Sequence, residues 1–372
     1  MKVLIAVISD MATDMRVQKQ ARLLEEMGCD VTVMGRRRPG SIPLSIPGVK
    51  IKRICVPFKK GPGMYLMFNL FLFVRLLFRG FGLCVSCDLD TLVPCYLVSR
   101  IRRKKLVYDA HEYFTGQYSL AGRRFKYNVW KKAEKWILPE LRHMITVSDS
   151  IADLYRSEYG VEPVVIRNIA PQVTHLVSHD RIALDASPDE LLVIFQGSGI
   201  HEGRGAEELI DAIPMVEGVK LVIIGSGDII DRVHKQVREN GDENKIIFLP
   251  GMPWEQMMRY TMCCDAGLSL DSDNCINHRY SLPNKLFDYI AAGIPVIASD
   301  LTEVAAVIKK YNCGILLNEV KPVVIAEALT ELRDDRAYLR QLKENAGKAQ
   351  EELTWEREKI REQKFFRSVM DV

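Results

Sequence analysis

A chain of 372 residues is too long for one typical hydrophobic core and long enough for two domains of ordinary size. Its composition, 48% hydrophobic and 27% charged, is that of a soluble globular protein, and its nine scattered cysteines, an odd number, exclude a small disulfide scaffold and point to free thiols in a reducing compartment. The net charge of +3 conceals a division: residues 1–170 carry 28 Lys and Arg against 15 Asp and Glu, and the remainder 23 against 33. A basic half attracts phosphate, whether on nucleic acid, anionic lipid or a phosphorylated substrate.

The opening MKVLIAVISD has the lysine and apolar run of a signal peptide but no small-residue cleavage site, so it reads as a buried strand of a cytoplasmic chain. Short apolar runs follow: DVTVMG, VKIKRICV, FGLCVSC, KLVYDA, HMITVS and PVVIR. Amphipathic stretches separate them, such as RVQKQARLLEEMG, which Gly28 stops as a helix C-cap. This alternation predicts a parallel sheet covered by helices.

Cys84 and Cys87 form a C-x-x-C inside one strand; with no second pair at ligand spacing, buried packing is expected in place of zinc or redox chemistry. The most apolar run is MYLMFNLFLFVRLLFRG, residues 64–80, with Arg75 inside its 17 residues. It is at the short limit for a membrane span, and reads either as a helix lying at a membrane interface or as a buried helix of the domain. The basic cluster Arg100, Arg102, Arg103, Lys104 and Lys105 suits anionic lipid or a lipid diphosphate, or is solvated surface; lacking interleaved aromatics, it does not suit nucleic acid.

Periodicity fails from about 169 to 189, where Pro, Ser, His and Asp collect. A second strand series then begins: LLVIFQG, VKLVIIG, KIIFLPG, DAGLSL, IPVIAS and CGILL. The expected division is therefore a first Rossmann-like α/β domain over 1–170, a linker over 171–189 and a second such domain over 190–350. A charged helix over 351–372 either packs on its own domain or crosses back to the first. Nothing repeats at a solenoid period.

Two glycine turns follow strands of the second domain. One runs through Gly197, Ser198 and Gly199 to Gly203, Arg204 and Gly205, and the other holds Gly225 and Gly227. The third glycine of a dinucleotide fingerprint would fall at Glu202 or at Ile230, so neither turn fits that motif. They remain either tight βα turns or a phosphate cradle at the carboxyl ends of strands.

In SLPNKLFDYIAAGIPVIASD, residues 281–300, Pro283 suits the first position of a helix that Gly293 and Pro295 end. Lys285 and Asp288 are three apart and share its first face, with Asn284 beside them. A diphosphate there would meet free N–H groups, the positive end of the helix dipole and the Lys285 ammonium, while Asp288 would accept from sugar hydroxyls. The plainer alternative is a surface Lys–Asp pair.

The segment PNKLFDYIAAGIPVIASD, with QGSG…GRG, VIIGSG and YDAHE, resembles the GT-B glycosyltransferases of the retaining family four over nearly the whole chain. That resemblance implies two doubly wound Rossmann-like domains facing a central cleft, the first binding acceptor and the second a nucleotide-sugar. It matches Arg204 to a diphosphate-binding residue and Asp288 to a ribose-binding acid. Where the family has a first acid and a first basic residue, this chain has Tyr280 and Ser198, and Lys285 restores the missing charge.

It also implies that His111, after the KLVYDA strand, contacts the donor sugar, although a lone histidine is as readily structural. Asp14 and Arg16 fall in the first βα turn on the acceptor side, with helix capping the competing role of Asp14. Asp90 and Glu112 are further acceptor-side candidates. Asp88 with Asp90, and Asp271 with Asp273, look like metal-binding D-x-D pairs of a different fold, and no metal is expected.

The resulting expectation is transfer of a sugar from a nucleotide-diphosphate sugar, a substrate and not a cofactor, to a glycan or lipid-linked acceptor in polysaccharide or glycoconjugate synthesis. His111, Arg204 and Lys285 are the catalytic candidates, and Gly197, Ser198, Gly199, Gly225, Gly227, Pro283, Asn284 and Asp288 the donor-binding ones. The enzyme is expected in the cytoplasm, free or peripheral at the inner face of the membrane. The rival readings are a sugar-nucleotide epimerase on a similar fold and a non-catalytic nucleotide-sugar-binding scaffold.

Overall fold

The computed structural model describes the whole chain except Pro39, Ile42, Ser198, Val372 and the side chain of Ala183. It divides into two compact units, the first Met1–Arg167 with Glu358–Val372, the second Asn168–Arg357.

Unit 1 is built on a seven-stranded sheet: β1 (Lys2–Ala6), β2 (Asp30–Arg36), β3 (Lys50–Ile54), β4 (Leu83–Cys87), β5 (Lys105–Asp109), β6 (Met144–Thr146) and β7 (Val164–Val165). The spatial order is β3-β2-β1-β4-β5-β6-β7 with parallel pairing throughout, so the strand order reverses between β1 and β4. Both faces are apolar because helices cover both, which is why β4 is buried at every position. Cys84 and Cys87, three apart on a strand, point to opposite faces: Cys84 packs with Leu4, Phe68 and Leu72, and Cys87 with Ile5, Val85 and Val107. They are packing residues, and all nine cysteines are free.

The helix Trp355–Met370 supplies Phe365, Phe366 and Val369 to the core of unit 1 beside Val3, Leu24 and Val31. The helix Pro62–Phe78 buries Met64, Phe68, Leu72 and Leu76 at four-residue spacing. Its opposite stripe, Leu66, Leu70, Val74 and Phe78, is exposed. Much of the 100–105 basic cluster is engaged within unit 1: Arg100 pairs with Glu140, Arg102 donates to the carbonyls of Leu76 and Arg79, and Lys105 pairs with Asp371. Among the described residues no helix is long and apolar enough to cross a membrane.

Unit 2 carries a six-stranded parallel sheet of β8 (Leu191–Gly197), β9 (Val219–Gly225), β10 (Ile246–Pro250), β11 (Ala266–Ser269), β12 (Val296–Ser299) and β13 (Gly314–Leu317), ordered β10-β9-β8-β11-β12-β13. Its strand order reverses between β8 and β11, and the glycine turns lie at the carboxyl ends of β8 and β9. The stretch 171–189 corrects the expected linker. Val173, Leu176, Leu184 and Ala186 are buried in the core of unit 2, so four apolar anchors inside a polar composition tie it down.

Candidate functional site

The two glycine turns of unit 2 are one piece of structure. Gly197 and Gly225 stand opposite each other in the β8–β9 register. Beyond them Ser226 N–H donates to the Gly197 carbonyl (3.4 Å) and Ile200 N–H to the Ser226 carbonyl (3.0 Å). A Cβ on Gly225, whose φ is +148°, would stand 1.9 Å from the Gly197 oxygen, and one on Gly227 would stand 1.9 Å from the Ile200 oxygen. These positions are glycine because backbone passes directly over backbone.

The Arg204 loop is fixed by the next turn along the sheet edge. Gly205, at φ +77°, lies against Leu270, and Ser272 N–H donates to the Gly203 carbonyl (2.9 Å). Asp271, just past β11, thereby comes beneath Arg204 and accepts from its Nη1 at 2.9 Å. The Asp271 side chain is 3% exposed and that of Arg204 29%. Lys285, in the first turn of the helix Asn284–Ala291, places its ammonium 4.3 Å from the centre of the Phe195 ring on β8.

Burial pulls the Lys285 ammonium down to about 8, against the pull of Asp271 and with the repulsion of Arg204. Burial would raise the Asp271 carboxyl, but Lys285, Arg204 and His278 together hold it below the usual range. His278, on the short helix Ile276–Tyr280, is itself pushed down by burial and by Arg204, and its Nδ1 lies 3.1 Å from the Ser272 carbonyl. Arg204, 81 positions before Lys285 in sequence, is thus hydrogen-bonded to Asp271, while Lys285 feels that carboxylate through space from its seat over Phe195.

The D-x-D resemblance at this place dissolves: Asp271 turns inward to Arg204, while Asp273 turns outward to Arg279 at 2.9 Å. Pro283 is the cap residue of its helix and Asn284 the first helical one, a one-position correction. Asn284 accepts from Asn168 Nδ2 at 2.9 Å. Asp288 is more deeply placed than a sugar-binding acid was expected to be: it is 7% exposed, and its oxygens accept from Trp254 Nε1 (2.9 Å) and Gln196 Nε2 (3.3 Å). Thr261 Oγ1 in turn donates to Gln196 Oε1 at 2.7 Å. Ser198 lies outside the described residues.

Unit 1 gathers a second polar cluster at the ends of β4 and β5. Asp88, forced to φ +60°, accepts from the backbone N–H of His111 at 2.9 Å. The imidazole lies between Asp88 (3.6 Å from Nδ1) and Asp109 (3.4 Å from Nε2). Burial opposes the charge on His111, but Asp88 and Asp109 overrule it and lift the imidazole well above its ordinary range.

Arg16 corrects the acceptor-side expectation. It is 7% exposed, its guanidinium grips both oxygens of Asp109 (2.6–3.2 Å), and its Nη1 donates to the Ile166 carbonyl at 2.8 Å, so it braces the floor of the cluster. Asp14 is a helix cap, accepting from Val17 N–H at 3.2 Å and from Ser9 Oγ at 2.6 Å. Glu112 accepts from Gln117. Asp90 is buried in the first turn of its helix, its carboxyl lifted well above the usual range by burial and then by Asp88 and Glu112.

Donor atoms of Cys87, Asp109 and His111 lie within 4.8 Å of one another, close enough for a metal. Arg16 and Gln20 already occupy the Asp109 oxygens. Sequence reading missed Asp271 as the partner of Arg204, and missed Gln196, Trp254 and His278; only the fold brings these residues together.

The chain matches the family description "Glycosyltransferase Family 4" over residues 15–171 and "Glycosyl transferases group 1" over residues 178–349. It belongs to the family-four type of GT-B glycosyltransferases. This glycosyltransferase is 22% identical over 179 residues to the chitobiosyldiphosphodolichol beta-mannosyltransferase of Candida albicans, covering 46% of the chain and 39% of that protein. It aligns with less than half the length of the curated relatives it matches. Among solved structures, sucrose-phosphate synthase from Thermosynechococcus elongatus has the same fold (TM-score 0.83, 15% identity, 100% of this chain and 99% of that one). So does Anabaena HepE in complex with UDP and glucose (TM-score 0.72, 15% identity, 99% of this chain and 100% of that one).

Proposed function

We propose that this glycosyltransferase transfers a sugar from a nucleotide-diphosphate sugar to a lipid-linked or other glycan acceptor, with retention at the anomeric carbon and without a metal. Arg204 held on Asp271 and Lys285 seated over Phe195, beside the joined glycine turns, carry the reading. Negative charge grows on the departing nucleoside diphosphate, and fixed cations in a partly desolvated site stabilise that charge most when it is fully developed. The Lys285 ammonium, already stripped of much of its water, loses little more on meeting the diphosphate. In unit 1, His111, set between Asp88 and Asp109, is the donor-sugar contact that the family resemblance implies.

The name of the Candida relative supports an acceptor carried on a lipid diphosphate. The surface of unit 1 supports contact with an anionic bilayer. The exposed stripe of the helix Pro62–Phe78 includes Leu66 (70% exposed) and Phe78 (83%), and the helix Arg124–Ile137, touching it through the Tyr65–Trp130 ring pair, exposes Phe125 (79%) and Trp136 (52%). Arg123, Arg124, Lys126, Lys132 and Lys135 flank those aromatics, the pattern of an interfacial surface.

Tyr280, in place of an acid, and the internal engagement of Asp288 favour a second reading, a protein that binds nucleotide-sugar without turning it over. A release assay decides between them. Uridine, guanosine and adenosine diphosphate sugars are incubated with the full chain and a polyprenyl-diphosphate saccharide in vesicles. Acceptor-dependent release of diphosphate with one donor is the expected result; binding without release leaves the scaffold, and a new nucleotide-sugar formed without acceptor marks an epimerase.

A further inference from the structure

Asp271 has no part in the motifs by which the sequence resembles its family, yet it holds one cation of the donor site and acts electrostatically on the other. It is nearly inaccessible, it holds Arg204 through one oxygen, and its other oxygen, Oδ1, is buried with no hydrogen-bond partner among the described residues. A bare carboxylate beside a diphosphate site is repulsive to the ligand unless something else recovers that cost.

We propose that Asp271 is a positioning residue of the donor site, aiming the Arg204 guanidinium and serving as the resident anion beside it and the Lys285 seat until a diphosphate takes over as counter-ion. The inference rests on the donor-site reading given above and deepens it.

The surroundings of Lys285 make the carboxylate necessary. From the turn after β8 comes the positive Arg204; from the helix Ile276–Tyr280 comes His278; from β8 comes the neutral face of Phe195. On its own helix Asp288 is turned to Trp254 and Gln196. Asp271 supports the charge on Lys285 against burial and against Arg204. Without it, the ammonium loses its proton at lower pH and the guanidinium loses the acceptor that fixes its direction. The hydrogen bond from Ser272 N–H to the Gly203 carbonyl joins the two turns and keeps this acid in register with Arg204.

The test is titration of uridine diphosphate and guanosine diphosphate into the full chain from pH 7 to 9.5. In the wild type, affinity for the diphosphate that binds is expected to fall along a basic limb near pH 8. Asp271→Asn is expected to move that limb down by roughly one pH unit, which is about tenfold weaker binding at pH 8.5, while binding at pH 7 changes far less. Lys285→Arg, which keeps the charge but does not titrate in this range, is expected to abolish the limb.

A limb that stays in place in folded Asp271→Asn overturns the proposal, and so does a limb that persists in Lys285→Arg. Circular dichroism and thermal melting establish folding; if the asparagine variant does not fold, Asp271→Ser takes its place and Lys285→Arg still decides. Failure of both diphosphates to bind the wild type at any pH takes down the donor-site reading itself. Binding with an unmoved limb removes Asp271 alone.

Discussion

The Lys285 ammonium and the Phe195 ring meet at 4.3 Å, so the cation that is to face a diphosphate stands on an aromatic floor supplied by the central strand β8. That placement leaves its pKa at about 8, and a phosphate dianion restores what burial removes. Lys285→Ala and Arg204→Ala are each expected to lower kcat/KM by about 2–4 kcal/mol of transition-state stabilisation, measured with the preferred nucleotide-sugar. Unchanged kinetics in both would remove the proposed grip.

The backbone crossing at the glycine turns gives a second expectation. Alanine at Gly225 or Gly227 puts a Cβ 1.9 Å from a carbonyl oxygen of the neighbouring turn, and no side chain is there to yield. Each substitution should cost about 1–3 kcal/mol of stability and weaken nucleotide binding. Alanine at Gly347, where nothing lies within 4 Å, is the control. Thermal melting and diphosphate titration of the three variants check this.

A pH dependence of stability follows from Glu362. This residue of the helix Trp355–Met370 accepts from Gln20 at 3.0 Å, and burial lifts its carboxyl from 4.5 to about 7 despite Arg16. A raised acid pKa means the folded chain holds the proton more tightly than the unfolded one, so this contribution is full below about pH 4.5 and is lost as pH rises through 7. Glu362→Gln, which mimics the protonated form, should therefore stabilise the protein at pH 8 by up to about 3 kcal/mol, with the gain vanishing near pH 4.5. Denaturant melts at the two pH values measure it; an equal effect at both would show that charge is not the cause.

Membrane contact predicts that Leu66→Ser with Phe78→Ser, and separately Phe125→Ser with Trp136→Ser, reduce co-sedimentation with vesicles containing anionic lipid by about tenfold or more, since each buried aromatic or leucine contributes roughly 1.5–3 kcal/mol. Leu66, Phe78 and Phe125 are mostly exposed, so melting temperature should hardly move in the first pair; Trp136 also packs on Tyr96, so the second pair is read against its own melting temperature. Equal sedimentation of all variants would retire the bilayer as the partner.

The strands were legible because short apolar runs bounded by turns are what a sheet covered on both faces requires, and the glycine turns because close backbone approach admits nothing larger. Long-range pairing was not. Arg16 looked like a loop residue open to substrate, and only Asp109, 93 positions later, turns it into a brace. Asp271 and Asp273 looked alike in sequence, yet one is buried under Arg204 and the other reaches Arg279 at the surface. The amphipathic tail announced that one face is buried but not which sheet receives it; Phe365 and Phe366 had to be seen among Val3 and Leu24. The 171–189 stretch was misread because four apolar anchors are too few to form a period.

The most direct measurement is a crystal structure of the chain with the nucleoside diphosphate that binds best. The distal phosphate should lie within hydrogen-bond distance of both Arg204 and Lys285, next to the turns at Gly197 and Gly225. A diphosphate bound elsewhere, with Arg204 still on Asp271 and Lys285 still over Phe195, would contradict the account.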